Sequence, residues 1–74
     1  HQANYTMLES VCRRCAISPE NHLYNVIEKG NTGSAGAPGV ISQHYSDLKK
    51  GDTILISVVG GGLTWSSFRV RVEN

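Results

Sequence analysis

The sequence predicts a mixed α/β fold in the order helix, strand, helix, strand, strand. Residues 4–16 carry apolar side chains at helical spacing, whereas residues 63–72 alternate between two faces as a strand does. Glycine-rich breaks separate these segments, and no internal repeat is visible. We therefore expect residues 1–74 to form one α/β unit with no second domain.

The first helix is predicted over residues 4–16. Its apolar stripe, at spacings of three and four, consists of Leu8, Val11, Cys12 and Cys15. Asn4 is the expected N-cap, and Glu9 is expected near the first turn, where a negative charge suits the helix dipole. Pro19 and its polar neighbours are expected to stop the helix.

Two further elements are predicted in the middle of the chain. Leu23–Ile27 is rich in Tyr, Val and Ile, which is typical of a short buried strand. Gly30–Gly39 has only small side chains after Thr32, so it is expected to start a close-packed helix that runs to about Asp47, a flexible linker being the alternative. The apolar residues that follow at helical spacing are Val40, Ile41, Tyr45 and Leu48.

A strand pair is predicted to end the chain. Lys49–Asp52 reads as a turn, Thr53–Val59 as a strand, Gly60–Gly62 as a break and Leu63–Val72 as a second strand. Because the arginines of this last strand fall on one side, we expect that side to be the wetter face.

Composition excludes several classes of protein. The net charge is +1 without any block of like charges, which argues against electrostatic nucleic-acid binding. The longest apolar stretch, Ile54–Val59, is far shorter than the roughly 20 residues that span a bilayer. A chain this small buries only about 60% of its unfolded surface, so its core is thin and we expect its apolar faces to dock on a partner.

The pair Cys12 and Cys15 has CxxC spacing. A redox pair favours a helix N-terminus, whereas these thiols fall in mid-helix, and a zinc site that adds His22 or His44 lacks a tight second pair. We predict two small core residues and no metal, with zinc and redox chemistry as the alternatives.

The glycines Gly30, Gly33 and Gly36 suggest a phosphate cradle at a helix N-terminus. However, no Lys follows at the P-loop position, and the spacing is not that of the dinucleotide fingerprint. Close packing is therefore the preferred interpretation of these glycines.

Three segments together resemble a known family. They read His-Gln-Ala-Asn at His1–Asn4, Gly-Asn-Thr at Gly30–Thr32 and Gly-Gly-Gly-Leu-Thr-Trp at Gly60–Trp65. Their order and the spacing from His1 to Asn31 resemble three motifs of the beta-ketoacyl-acyl carrier protein synthase III family. The resemblance covers the whole chain and implies the C-terminal portion of a thiolase-like fold.

The resemblance also implies an acyltransferase activity in fatty acid biosynthesis. Such enzymes condense an acyl-CoA with malonyl-acyl carrier protein, using coenzyme A thioesters as substrates and no cofactor. His1 and Asn31 match the family's pair of donors to the enolate oxygen, and Gly61 matches its oxyanion-hole donor. Ala3 and Asn4 match positions that line its pantetheine tunnel.

The family's reactive cysteine does not map onto Cys12 or Cys15, because it belongs to an N-terminal half that this sequence does not match. Since the chain starts at the histidine without a Met, we expect an upstream portion of the same enzyme as its partner. We expect the isolated chain to be inactive, and the whole enzyme to be a cytoplasmic homodimer without nucleic-acid or membrane partners.

Two departures from the family pattern concern the substrate. Thr6 stands where typical members carry an Arg associated with carrier-protein docking, and Gly33 replaces the usual Ser. These changes leave two alternatives open: a related ketosynthase or acyltransferase of secondary metabolism, and an interaction module without catalysis.

Overall fold

The computed structural model describes residues 1–73. The helices are α1 (Tyr5–Arg14), α2 (Val26–Lys29) and α3 (Gly36–Gln43), and the strands are β1 (Thr53–Gly60) and β2 (Thr64–Arg71). Single 3-10 turns lie at Pro19–Asn21, Gly33–Ala35, Tyr45–Asp47 and Gly61–Leu63. The mixed α/β class is confirmed, with one helix more and one strand fewer than predicted.

The predicted N-cap of α1 is confirmed. The Asn4 Oδ1 accepts a hydrogen bond from the Met7 backbone N at 2.8 Å, which satisfies one of the free N–H groups of the first turn. That first turn itself holds no acidic residue, and Glu9 is the fifth residue of α1, directly after it. The Glu9 carboxylate pairs with Arg13 at 3.0 Å on the exposed surface.

The end of α1 is a Schellman motif built without glycine. The Ile17 N donates to Cys12 O at 2.8 Å, and the Ala16 N donates to Arg13 O at 3.3 Å. Ala16 has a φ of 55°, a left-handed conformation that an L residue with a Cβ adopts only at a cost. The chain therefore leaves the helix through a strained position.

The strand predicted at Leu23–Ile27 is wrong. Residues 22–25 pair with no strand, and Val26 begins α2 instead. The backbone N–H groups of Asn25 and Val26, which a strand would give to a neighbour, donate to the Gln2 side chain. Tyr24 packs on α1, with its ring centroid 5.3 Å from that of Tyr5. These contacts outweigh the β propensity of the segment.

The small-residue segment is helical rather than a linker, as predicted, although it is less regular than expected. A 3-10 turn at Gly33–Ala35 precedes α3, which ends at Gln43. A separate 3-10 turn at Tyr45–Asp47 takes the place of the predicted last α-helical turn. Gly36 and Val40 of α3 are buried, in accordance with the expected close packing.

The predicted strand pair is confirmed as an antiparallel hairpin. Its register runs from the Thr53↔Arg71 pair to the Gly60↔Thr64 pair, and Gly62 lies in the turn with a φ of 70°. Every residue of β2 is exposed in the described chain, so neither face of this strand is buried. Trp65 on the arginine side is 75% exposed, against 50% for Phe68 and 39% for Val70 on the other side, which agrees with the expected wetter face.

The core is as thin as the composition implied. Val26 and Val40 are the apolar residues buried within the described chain, beside the buried polar residues Gln2 and Asn25. The exposed large apolar side chains include Ile27, Tyr45, Leu55, Leu63 and Trp65. The apolar faces that we expect to dock on a partner are therefore exposed in the described chain.

The cysteines differ from their predicted role as core residues. Both thiols are free, Cys12 is half-buried and Cys15 is exposed. Cys15 caps the C-terminus of α1 instead of packing inside it. No helix of residues 1–73 combines the length and the apolar character that crossing a membrane requires.

We predict that Ala16→Gly stabilises the fold by about 0.5–1 kcal/mol, because glycine adopts the left-handed conformation without a Cβ penalty. Denaturant unfolding of the full-length protein that carries this segment measures the change. The matched control is Ala37→Gly, inside α3, where glycine has the lower helix propensity and the same substitution should destabilise. Equal losses at both positions would contradict the prediction.

Candidate functional site

A cavity of about 1370 Å³ is lined by three parts of the chain that lie far apart in sequence. The hairpin contributes Ile56, Val58, Val59, Gly60, Gly61 and Phe68, and the α3 region contributes Gly33, Ser34, Ala37, Pro38, Ile41, Ser42 and Tyr45. His1 and Asn31 complete the lining. The wall is therefore mostly apolar, with few polar groups, as is common in small-molecule sites.

The structure brings three of the five predicted site residues together. His1, Asn31 and Gly61 all line the cavity, although 60 positions separate the first from the last. Ala3 and Asn4 do not line it. Asn4 is exposed, and its Oδ1 is occupied by the N-cap bond to Met7.

His1 is half-buried at the edge of the hairpin. Its backbone nitrogen donates a hydrogen bond to the Ser57 carbonyl oxygen of β1. The bond fixes the His1 backbone against β1, two positions from Val59 of the cavity wall.

Asn31 is held by the turn in which it lies. Gly30 ends α2 with a φ of 71°, and the Asn31 Oδ1 then accepts a hydrogen bond from the Gly33 N at 3.0 Å. An N–H group requires an oxygen acceptor, so this bond fixes which end of the Asn31 amide is which. The amide nitrogen, with its two donors, is left for a partner other than Gly33.

Gly61 lies in the turn between the two strands. Thr64 Oγ1 donates to the Gly61 carbonyl at 3.0 Å, which anchors the peptide between Gly61 and Gly62 to the start of β2. A Cβ at Gly61 would meet no heavy atom of the described chain within 4 Å, and the positive φ values of this turn belong to Gly62 and Leu63. Within residues 1–73, neither strain nor crowding therefore explains a glycine at position 61.

A buried residue that the sequence analysis did not single out connects these groups. Gln2 is only 6% exposed, and its Oε1 accepts hydrogen bonds from the backbone N of Asn25 at 2.8 Å and of Val26 at 3.1 Å. Its Cβ and Cγ lie 3.2 and 3.3 Å from where a Cβ on Gly36 would be. The sequence signal that was available is a long polar side chain directly beside the motif histidine.

Asn25 is the second buried polar residue beside the site. It is 6% exposed, and its Oδ1 has no hydrogen-bond partner within residues 1–73. Its Nδ2 lies 3.4 Å from where a Cβ on Gly39 would be, so α3 approaches this amide closely. The small residues of α3 thus admit two amide side chains between the helices.

The candidate metal ligands and the candidate phosphate-binding glycines form no site within residues 1–73. No cluster of three or more His, Cys, Asp or Glu side chains with metal-binding geometry forms within residues 1–73. Of the three glycines considered for a phosphate cradle, Gly30 and Gly33 have positive φ, whereas Gly36 packs against Gln2. Turn geometry and close approach therefore account for these glycines.

Residues 1–72 match the family model of the C-terminal domain of 3-oxoacyl-[acyl-carrier-protein] synthase III. The chain belongs to this family. The predicted resemblance is thereby confirmed, and with it the thiolase-like α/β class.

Curated relatives bear the same family name. Beta-ketoacyl-[acyl-carrier-protein] synthase III of Caulobacter vibrioides is 39% identical over 97% of this chain, and that of Campylobacter fetus is 40% identical over 96%. That of Streptococcus thermophilus is 38% identical over 97%. The chain spans 23%, 22% and 24% of these three relatives. No solved structure matches.

We predict that Gly36→Ala destabilises the fold by about 1 kcal/mol. The added methyl would lie within 3.3 Å of the Gln2 side chain, whose two hydrogen bonds leave it little freedom to move. Denaturant unfolding of the full-length protein measures this. Gln43→Ala, at an exposed position on the same helix, is the control and should change stability by less than about 0.5 kcal/mol. Equal stability of Gly36→Ala and the unmutated protein would refute the prediction.

Proposed function

We propose that the chain is the C-terminal part of a beta-ketoacyl-acyl carrier protein synthase III-type acyltransferase. The whole enzyme would condense an acyl-CoA with malonyl-acyl carrier protein, with loss of carbon dioxide. The observation that carries the proposal is that His1, Asn31 and Gly61, one from each family motif, line the same cavity. Membership of the synthase III family supports it independently.

The first half-reaction would be acyl transfer. A cysteine thiolate from the rest of the enzyme would attack the thioester carbonyl carbon, and the tetrahedral oxyanion would collapse to release coenzyme A thiolate. In this step the Gly61 N–H would donate to the oxyanion. The Thr64 bond supports this role, because it restrains Gly61 on its carbonyl side, next to the N–H that would donate.

The second half-reaction would be decarboxylation and condensation. Breaking the bond between the malonyl carboxylate and its α-carbon releases carbon dioxide and leaves an enolate. Its carbon would then attack the acyl-cysteine and release the thiolate and a β-ketoacyl-carrier protein. His1 and Asn31 would donate to the enolate oxygen. The Asn31 amide suits the task, since its oxygen accepts the bond from the Gly33 N and its nitrogen is left to donate to another group.

The apolar wall suits the non-reacting part of the substrate. Ile41, Val58 and Phe68 offer a surface for an acyl chain or for the methylene groups of a pantetheine arm. Ala3 and Asn4 lie outside this wall, so we propose that they contact the pantetheine nearer to its entrance. The proposed substrates are coenzyme A thioesters, and no cofactor is invoked.

The partners of the whole enzyme are part of the same proposal. We propose that the N-terminal portion of the enzyme packs on the exposed apolar faces of the hairpin and helices. We also propose that the whole enzyme is a homodimer. An acyl carrier protein is the proposed partner in catalysis. Arg13 and Arg14, exposed in the last turn of α1, are the basic groups nearest to Thr6 along that helix.

The alternative is a related acyltransferase with another donor or acceptor, as in secondary metabolism. Thr6, which stands in place of the docking arginine expected from the family pattern, is the observation that favours it. A module without catalysis is the further alternative. The half-reaction measurements below separate both from the main proposal.

We predict that His1→Ala and Asn31→Ala in the full-length protein each lower decarboxylation of a malonyl thioester on the order of 10²-fold or more, because each removes a donor to the enolate oxygen. Acylation of the cysteine by radiolabelled acyl-CoA should persist. Asn31→Asp tests the donor specifically, since it keeps an acceptor for the Gly33 N–H but lacks the amide nitrogen.

The matched control for these substitutions is Asn21→Ala, at an exposed asparagine that does not line the cavity. It should leave both half-reactions unchanged. Full decarboxylation by His1→Ala and Asn31→Ala would contradict the proposal, and absence of both half-reactions from the unmutated protein would favour the non-catalytic module.

We also predict that the isolated 74-residue chain has no condensing activity, because neither Cys12 nor Cys15 is among the residues that line the cavity. Removal of the nucleophile from a cooperating catalytic set forfeits most of the rate. A condensation assay that compares the isolated chain with the full-length enzyme measures this. Turnover by the isolated chain would contradict the prediction.

A further inference from the structure

We propose that Gln2 is a positioning residue for the condensation step. Its side chain would hold His1 and Asn31 in the positions from which both donate to one oxygen. The inference rests on the proposed function. It adds to that function a residue that would not touch the reacting atoms and would act through the two that do.

Gln2 caps the N-terminus of α2. This helix is a single turn of four residues, and Asn25 at its N-cap makes no side-chain capping bond of its own. Gln2 Oε1 supplies the cap from another segment, through the N–H groups of Asn25 and Val26. A helix this short is not stable by itself, so its placement depends on these contacts.

A short series of backbone bonds connects this cap to Asn31. Val26, which donates to Gln2, also accepts a hydrogen bond from the Gly30 N at 2.8 Å at the other end of α2. Gly30 then turns the chain into Asn31. Only one helical turn therefore separates the bonds of Gln2 from the Asn31 amide.

Gln2 also connects α2 to His1 and to α3. Gln2 follows His1 directly, so its buried side chain and the bond from the His1 nitrogen to Ser57 O fix the backbone on both sides of the histidine. On its other face the Gln2 side chain packs against Gly36, the first residue of α3. One side chain therefore contacts the starts of both helices that flank Asn31.

Two donors stabilise one enolate oxygen only when both lie within hydrogen-bonding distance of it and point toward it at the same time. A displacement of about 1 Å at a reacting centre costs on the order of 10²-fold in rate. Acyl transfer, by contrast, would use the Gly61 N–H, which lies in the hairpin turn and is not among the groups that Gln2 contacts. A positioning role therefore affects one half-reaction and spares the other.

The test compares Gln2→Met with Gln2→Glu in the full-length enzyme. Methionine has similar length but no oxygen acceptor, whereas glutamate keeps an oxygen at the position of Oε1 for both N–H groups. We expect Gln2→Met to lower decarboxylation of the malonyl thioester by tenfold to a hundredfold, on the order of a 1 Å misplacement. Cysteine acylation should stay within about twofold, and Gln2→Glu should restore most of the decarboxylation.

Gln43→Met, at an exposed glutamine of α3, is the matched control and should leave both half-reactions unchanged. Undiminished decarboxylation by Gln2→Met would overturn the inference. So would an equal loss of both half-reactions, or a loss in Gln2→Glu as large as in Gln2→Met, because each indicates a general loss of fold.

The His1→Ala and Asn31→Ala variants separate this inference from the function on which it rests. If they decarboxylate normally, the proposed function fails, and the positioning role fails with it. If they lose decarboxylation while Gln2→Met retains it, the positioning role alone is overturned.

Discussion

The buried hydrogen bonds of Gln2 are the constraint on which the arrangement of the cavity depends. Only Val26 and Val40 are buried apolar residues of the described chain, so hydrophobic packing alone holds its helices loosely. The two N–H groups bound by Gln2 Oε1 would otherwise be buried without partners, at a cost of about 1–3 kcal/mol each. This one amide therefore fixes the N-terminal segment, the start of α2 and the approach of α3.

A small buried core and a large apolar surface belong together in this molecule. The hairpin exposes Leu55 and Trp65, and Leu63 at its turn is 86% exposed, which is unusual for a chain that is stable alone. The curated relatives are about four times as long as this chain, given that it spans 22% to 24% of them. Both observations agree with the proposal that the rest of the enzyme packs on these faces.

Local patterns predicted what local interactions decide. The α1 cap at Asn4 and the hairpin strands were predictable, because a capping side chain and period-two alternation act over a few residues. The Leu23–Ile27 segment was not, since the bonds that make it helical come from Gln2, more than 20 positions away. The alternation in β2 predicted which face is wetter but not that both faces are exposed, which depends on what packs against the strand. The cavity residues were predictable only by motif, as their convergence requires the tertiary fold.

Hydrogen exchange at the Asn25 and Val26 amides of the full-length protein tests the central claim most directly. If Gln2 Oε1 holds both N–H groups, they should exchange slowly in the unmutated protein and in Gln2→Glu, and at least about tenfold faster in Gln2→Met, since about 1.4 kcal/mol of protection corresponds to tenfold. The Met7 amide, bound to Asn4 Oδ1, should respond to none of these substitutions. Rapid exchange at both amides in the unmutated protein would contradict the claim.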